Sequence, residues 1–139
     1  MNWDEYLMGF ARHAALKSKD STQVGAALVG GSREVLLTAY NGPPIGVDDT
    51  AERRERPLKY LFVSHAEANL VAFAARHGIK TQGKTVYVTH ACCSSCAKAL
   101  IQAGIAAVVY GDGKTSMPEE EFEIAATMFR EARVAMRPV

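Results

Sequence analysis

From residue 85 onward the chain alternates between two periods, and that alternation restricts its folds more than any other feature. Residues 85–89 form an apolar run of strand length. Residues 93–103 follow at helical spacing up to Gly104, residues 105–110 are again strand-like, and Phe122, Ala125, Ala126 and Phe129 mark the buried stripe of a last helix. A strand, a helix and a second strand in that order require a crossover connection, so the two strands pair in parallel and a helix packs on the sheet.

The first half adds a different unit. Trp3, Leu7, Phe10, Ala11, Ala14 and Ala15 fall on one helical face, with Asn2 as N-cap and Glu5 three residues later. Runs 24–29 and 35–40, split by Gly30-Gly31-Ser32, read as an antiparallel hairpin. Asn41-Gly42-Pro43-Pro44-Ile45-Gly46 continues neither strand nor helix, and a polar stretch, 47–59, leads to Tyr60-Leu61-Phe62-Val63. Ala66, Leu70, Val71, Phe73 and Ala74 line a second helix stopped by Gly78, and Ser116-x-x-Glu119 has the pattern of a capping box before the last helix. The predicted order is α-β-β-α-β-α-β-α. Its fold class is α/β: a three-layer α/β/α arrangement around a mixed central sheet, with residues 1–139 as one domain.

Charge narrows the partners. Sixteen basic against fifteen acidic residues give a net charge of +1, which argues against a polynucleotide ligand gripped through its phosphates and leaves room for a small anion. No apolar run reaches the roughly 20 residues of a membrane span, so no membrane partner is expected. Residues 1–10 carry Asp4 and Glu5 without a basic segment, unlike a signal peptide. All three cysteines fall within Cys92-Cys93-Ser94-Ser95-Cys96, the distribution of a metal or catalytic site in a reducing compartment rather than of a disulfide framework. A cytoplasmic location is the expectation.

Two short patterns carry chemistry, His65-Ala66-Glu67 and Cys93-Ser94-Ser95-Cys96, each at a predicted helix start. Cysteines spaced i, i+3 leave the same side of a first helical turn, where free N–H groups favour thiolates. With His65 they make three ligands for Zn2+ and leave a fourth position open, the arrangement of a catalytic site. Glu67 need not bind the metal and is placed to carry protons. A structural zinc module is the competing reading, and only His90 or Cys92 offers it a fourth ligand. Cys92 and Cys96, at i, i+4, are an alternative sulfur pair, although only Cys93 gives the C-x-x-C spacing.

The H-x-E…C-x-x-C pattern is that of zinc deaminases, and longer segments share the likeness. They are 18–26 (Ser-Lys-Asp-Ser-Thr-Gln-Val-Gly-Ala), 40–46 (Tyr-Asn-Gly-Pro-Pro-Ile-Gly), 65–69 (His-Ala-Glu-Ala-Asn) and 93–105, beginning Cys-Ser-Ser-Cys-Ala-Lys-Ala. On these the chain, from about residue 3 to 110, resembles the cytidine and deoxycytidylate deaminase superfamily, and within it the dCMP deaminases. The resemblance implies the cytidine-deaminase-like fold and Zn2+ on His65, Cys93 and Cys96, with Glu67 as proton shuttle. The implied reaction is hydrolysis at C4 of dCMP, a small-molecule nucleotide, releasing ammonia and supplying dUMP for thymidylate synthesis. It further implies that Asn41 contacts the sugar hydroxyl, the Ala66 backbone the base carbonyl and Lys19 the 5′-phosphate, in a homo-oligomer. The same chemistry on a C5-modified dCMP, another nucleotide or nucleoside, or tRNA adenosine is the alternative. The chain departs from the family in carrying Cys92 where proline usually precedes the first zinc cysteine. Residues 48–56, mixed in charge and free of Cys and His, read as a solvated turn; the other reading is a lid or subunit contact supplying an arginine to the phosphate. They contain no second zinc site of the kind some nucleotide deaminases carry.

Overall fold

The computed structural model describes all 139 residues. Helix α1 (Trp3–Ala15) opens with the expected cap: the Glu5 N–H donates to Asn2 Oδ1 at 2.8 Å, and the Asn2 N–H donates back to Glu5 Oε2 at 3.3 Å. Strands β1 (Gly25–Val29) and β2 (Val35–Tyr40) form the antiparallel hairpin. A short 3-10 turn (Glu52–Arg54) and the one-turn helix α2 (Lys59–Phe62) follow, then α3 (Ala66–His77), which Gly78 ends at φ +67°, a conformation that suits a residue without Cβ. The remainder is β3 (Thr85–His90), α4 (Ser94–Gln102), β4 (Ala107–Gly113), α5 (Glu119–Glu131) and β5 (Ala135–Pro138).

The strands lie in the order β2-β1-β3-β4-β5. β1 runs antiparallel to both β2 and β3, whereas β3 with β4 and β4 with β5 are parallel, so the sheet is mixed as the sequence implies. Side chains alternate between its faces with the period of two. Ala27, Val29, Tyr87 and Val109 meet Leu7, Met8 and Ala11 of α1 on one face. Ala26, Leu28, Val86, Val88 and Val108 meet Ala66, Leu70, Ala97, Leu100, Ala125 and Phe129 of α3, α4 and α5 on the other. These are the three layers. Helix α1 approaches β1 so closely that a methyl on Gly25 would overlap the Ala11 carbonyl oxygen and stand 2.6 Å from Ala15 N. No helix is long and apolar enough to cross a membrane.

Two expectations need correction. Ser116 does not cap the last helix. That helix begins at Glu119 with Pro118 as a cap that makes no side-chain bond, and the Ser116 hydroxyl accepts instead from Arg56 Nη2 at 2.9 Å. The chain also does not end in helix: β5 adds a fifth strand beside β4, and Arg137 makes a bidentate contact with Asp4 of α1 at 2.6 and 2.9 Å.

Candidate active site

His65 and Cys93 occupy equivalent places. Each is the extended residue immediately before a helix, α3 and α4 respectively, and neither uses its side chain to cap that helix. The unused side chains converge. His65 Nδ1 lies 3.4 Å from Cys93 Sγ and 3.3 Å from Cys96 Sγ, and the three donor atoms fall within 4.8 Å of one another. A tetrahedral zinc ion with bonds of about 2.1 Å to nitrogen and 2.3 Å to sulfur separates such atoms by about 3.6 Å, so the donor set fits the metal. Cys92 is outside this cluster and buried against the Glu67 carboxyl. The sulfur pair is therefore Cys93 with Cys96, and the cluster holds three donors.

Electrostatics agree with that assignment. The Cys96 thiol, the His65 imidazole and the Cys96 backbone N–H all donate toward Cys93 and pull its pKa down to about 4. His65 is correspondingly raised by the Cys93 sulfur. Cys96 is pushed up in return because the two sulfurs share a proton, which a divalent cation displaces. Burial raises the pKa of the Glu67 carboxyl, which is only 4% exposed, above its ordinary value.

His65, Glu67 and Cys93 border a cavity of about 290 Å³, which is also lined by Asn41, Ala66, Arg56, Lys59, His90 and Ser116. Asn41 is fixed from two sides: its Oδ1 accepts the Val24 N–H at 2.9 Å and its Nδ2 donates to Thr22 O at 2.8 Å. Ala66 is the first residue of α3, where a backbone N–H has no partner within its own helix. Lys19 is exposed and borders a small adjoining cleft with Pro43, Asp49 and Arg54 rather than the cavity itself. His90 accepts or donates through Nδ1 to Thr89 Oγ1 at 2.7 Å, and its ring rests on Gly113.

Two further cations line the cavity: Arg56, from the charged run whose second reading supplies an arginine to the phosphate, and Lys59, which the sequence does not single out. Lys59 is buried and paired with Asp20 at 3.0 Å. The signal for it was an isolated lysine between apolar residues. Arg56 ends the mixed-charge run, most of which is a solvated turn in which Arg54 pairs with Asp49 at 2.9 Å. Arg56 itself is exposed but lines the cavity, and its Nε and Nη2 donate to Tyr60 OH at 2.6 Å and Ser116 Oγ at 2.9 Å, both neutral partners.

An imidazole and two thiols gathered beside a buried carboxyl at the wall of a cavity define a zinc-dependent aminohydrolase. The family model for the cytidine and deoxycytidylate deaminase zinc-binding region matches residues 1–112, and the chain belongs to that family. It is 37% identical over 145 aligned positions to the deoxycytidylate deaminase of Mus musculus, covering 99% of this chain and 79% of that one. It is also 37% identical, over 137 positions, to an uncharacterized deaminase of Aliivibrio fischeri, covering 95% and 90%. Among solved structures, the dCMP deaminase of cyanophage S-TIM5 superimposes with a TM-score of 0.78 at 25% identity over 98% of this chain and 96% of that one.

Proposed function

We propose that the enzyme hydrolyses dCMP to dUMP and ammonia. The observation that carries this reading is Arg56, a guanidinium in the wall of the same cavity as the metal donors and without a carboxylate partner. Two of its five N–H donors are taken by hydroxyls, and the others remain for a phosphate dianion. Lys59 is already balanced by Asp20. Lys19, on the adjoining cleft, adds positive charge along the approach to the phosphate. The likeness to deoxycytidylate deaminases over nearly the whole chain supports the same substrate.

Each remaining residue has a role that its surroundings support. His65, Cys93 and Cys96 hold the zinc, which when bound supplies Lewis acidity sufficient to bring the pKa of water toward 7. Glu67 takes the two protons of the attacking water in turn, delivering one to N3 of the base as the C4–O bond forms and the other to the amino nitrogen as the C4–N bond breaks, so that water and dCMP leave as dUMP and ammonia. The Ala66 N–H donates to the base carbonyl. Asn41, held by Val24 and Thr22, turns its second N–H and its free lone pair to the sugar hydroxyl.

On the same reading residues 1–139 act as one catalytic domain. Ala125, Phe129 and Val134 share a core cluster with Leu100 and Cys96, which supports counting α5 and β5 with residues 1–112. The enzyme works in the cytoplasm, where its free buried cysteines stay reduced. It works as a homo-oligomer, supported by the exposed Trp3, Tyr6 and Phe10 of α1 and by Tyr60 and Leu61 beside the cavity.

Ammonia release from cytidine, deoxycytidine, CMP, dCMP and dCTP tests the assignment, with C5-modified dCMP as a further arm. The expected order puts dCMP first, and Arg56→Ala lowers its kcat/KM while leaving the slow reaction of deoxycytidine unchanged. Equal turnover of deoxycytidine and dCMP would overturn the phosphate reading.

A further inference from the structure

Helix α4 carries Cys96 and begins just after Cys93, yet it lacks a side-chain cap of its own. Cys93, at the N-cap position, turns its sulfur to His65 and makes no capping bond. The orphan N–H of Ser94, the first helical residue, is met from another element. Glu121 of α5 accepts that N–H at 3.1 Å and the Ser94 hydroxyl at 2.8 Å, both on Oε1. Ser94 lies one residue after one zinc ligand and two before the other, so a single carboxylate oxygen pins the turn that sets the spacing of the two sulfurs. Glu119 and Glu120 share the first turn of α5 and are exposed, and neither reaches α4. The Ser94 donors also hold the Glu121 carboxyl below its ordinary range, so the acceptor is ionised at neutral pH.

We propose that Glu121 is a positioning residue of the zinc site, supplying from α5 the cap that Cys93 gives up when its sulfur serves the metal. The proposal rests on His65, Cys93 and Cys96 holding the zinc. The cause is geometric. With the cap in place, the first turn of α4 presents Cys93 and Cys96 to His65 in the arrangement the metal requires. Without it, that turn must be ordered by the metal itself, which weakens binding. Partners that orient metal ligands are commonly worth 10–100-fold in affinity.

The test is competition for zinc between the full-length protein and a chromophoric chelator, followed by the absorption spectrum of the cobalt(II)-substituted protein. Glu121→Ala is expected to raise the zinc dissociation constant 10–100-fold and to alter the thiolate-to-cobalt bands. Glu121→Gln, which keeps an acceptor oxygen, restores most of both, and Glu120→Ala behaves as the parent. Should Glu121→Ala fail to fold, Ser94→Ala removes the hydroxyl donor alone and is expected to loosen zinc by a smaller factor. Parental affinity and spectrum in Glu121→Ala would overturn the proposal, as would a Glu121→Gln protein as impaired as Glu121→Ala. A fall in the Tm of the metal-free protein with unchanged zinc affinity would also overturn it, because that is the result of a merely structural contact. In the same titration Cys96→Ser must lose zinc; if it does not, the donor assignment itself fails, a result distinct from any obtained with Glu121.

Discussion

Replacing Gly25 by alanine tests how the α1 layer is seated on the sheet. Gly25 is in the extended strand β1, so alanine meets no backbone penalty and narrows the unfolded chain, a gain of about 0.4–1 kcal/mol in stability. Against this, its methyl would overlap the Ala11 carbonyl oxygen and lie 2.6 Å from Ala15 N, where ordinary contact begins at 3.4 Å. Both obstacles are backbone, so no rotamer relieves them. The helix must move outward by at least 3.4 − 2.6 = 0.8 Å. A gap of that size forfeits about a quarter to a half of the dispersion energy for each contact it opens, here those of Leu7, Met8 and Ala11 with Ala27, Val29, Tyr87 and Val109. Overpacking of this kind costs about 1–3 kcal/mol, and with the chain-entropy gain set against it the net loss should be about 0.5–2 kcal/mol. Urea unfolding at saturating zinc measures it, and with a slope of about 2 kcal/mol/M the midpoint should fall by about 0.25–1 M. Gly9→Ala on α1 itself supplies the contrast. It is exposed with nothing within 4 Å of an added methyl, and should gain about 0.5–1 kcal/mol from helix propensity. A Gly25→Ala protein as stable as Gly9→Ala would refute the close approach of α1.

Two further outcomes follow from the terminal clamp and the metal. The Arg137 guanidinium, and after it the Tyr87 hydroxyl, hold Asp4 at a pKa of about 2, below its ordinary 3.8. Because the folded value is depressed, the contribution of Asp4 is complete above about pH 4 and lost as pH falls toward 2. The stability difference between the parent and Asp4→Asn should therefore shrink across that window, and a difference independent of pH would contradict the clamp. Stripping zinc should lower the Tm by on the order of 10 °C, since a ligand at a thousandfold over its dissociation constant adds about 4 kcal/mol to the native state. Cys93→Ser should abolish that difference and Cys92→Ser should keep it, and the reverse pattern would reassign the sulfur pair.

Much of this molecule is written in local signals. The Asn2–Glu5 cap, the Gly30-Gly31-Ser32 hairpin and the αL stop at Gly78 each depend on neighbours within a few residues, and each forms as the sequence implies. The metal donors are legible for a related reason: the helix starts at Ala66 and Ser94 fix where His65 and Cys93 must stand. What the sequence conceals depends on distant partners. β5 has no alternation to read, since all four of its residues are exposed, and it exists because β4 offers a parallel edge. Ser116-x-x-Glu119 is a sound local cap that loses Ser116 to an arginine 60 residues away. Lys59 and Glu121 gain their roles from Asp20 and Ser94, neither of which their own segments announce.

The division of labour between three metal donors and one proton carrier is tested most directly by measuring zinc content and ammonia release together in Glu67→Ala. One equivalent of zinc per chain with turnover of dCMP lowered about 10²–10⁴-fold is the predicted result. A protein that has lost its zinc, or one that releases ammonia at the parental rate, would contradict the role given to Glu67.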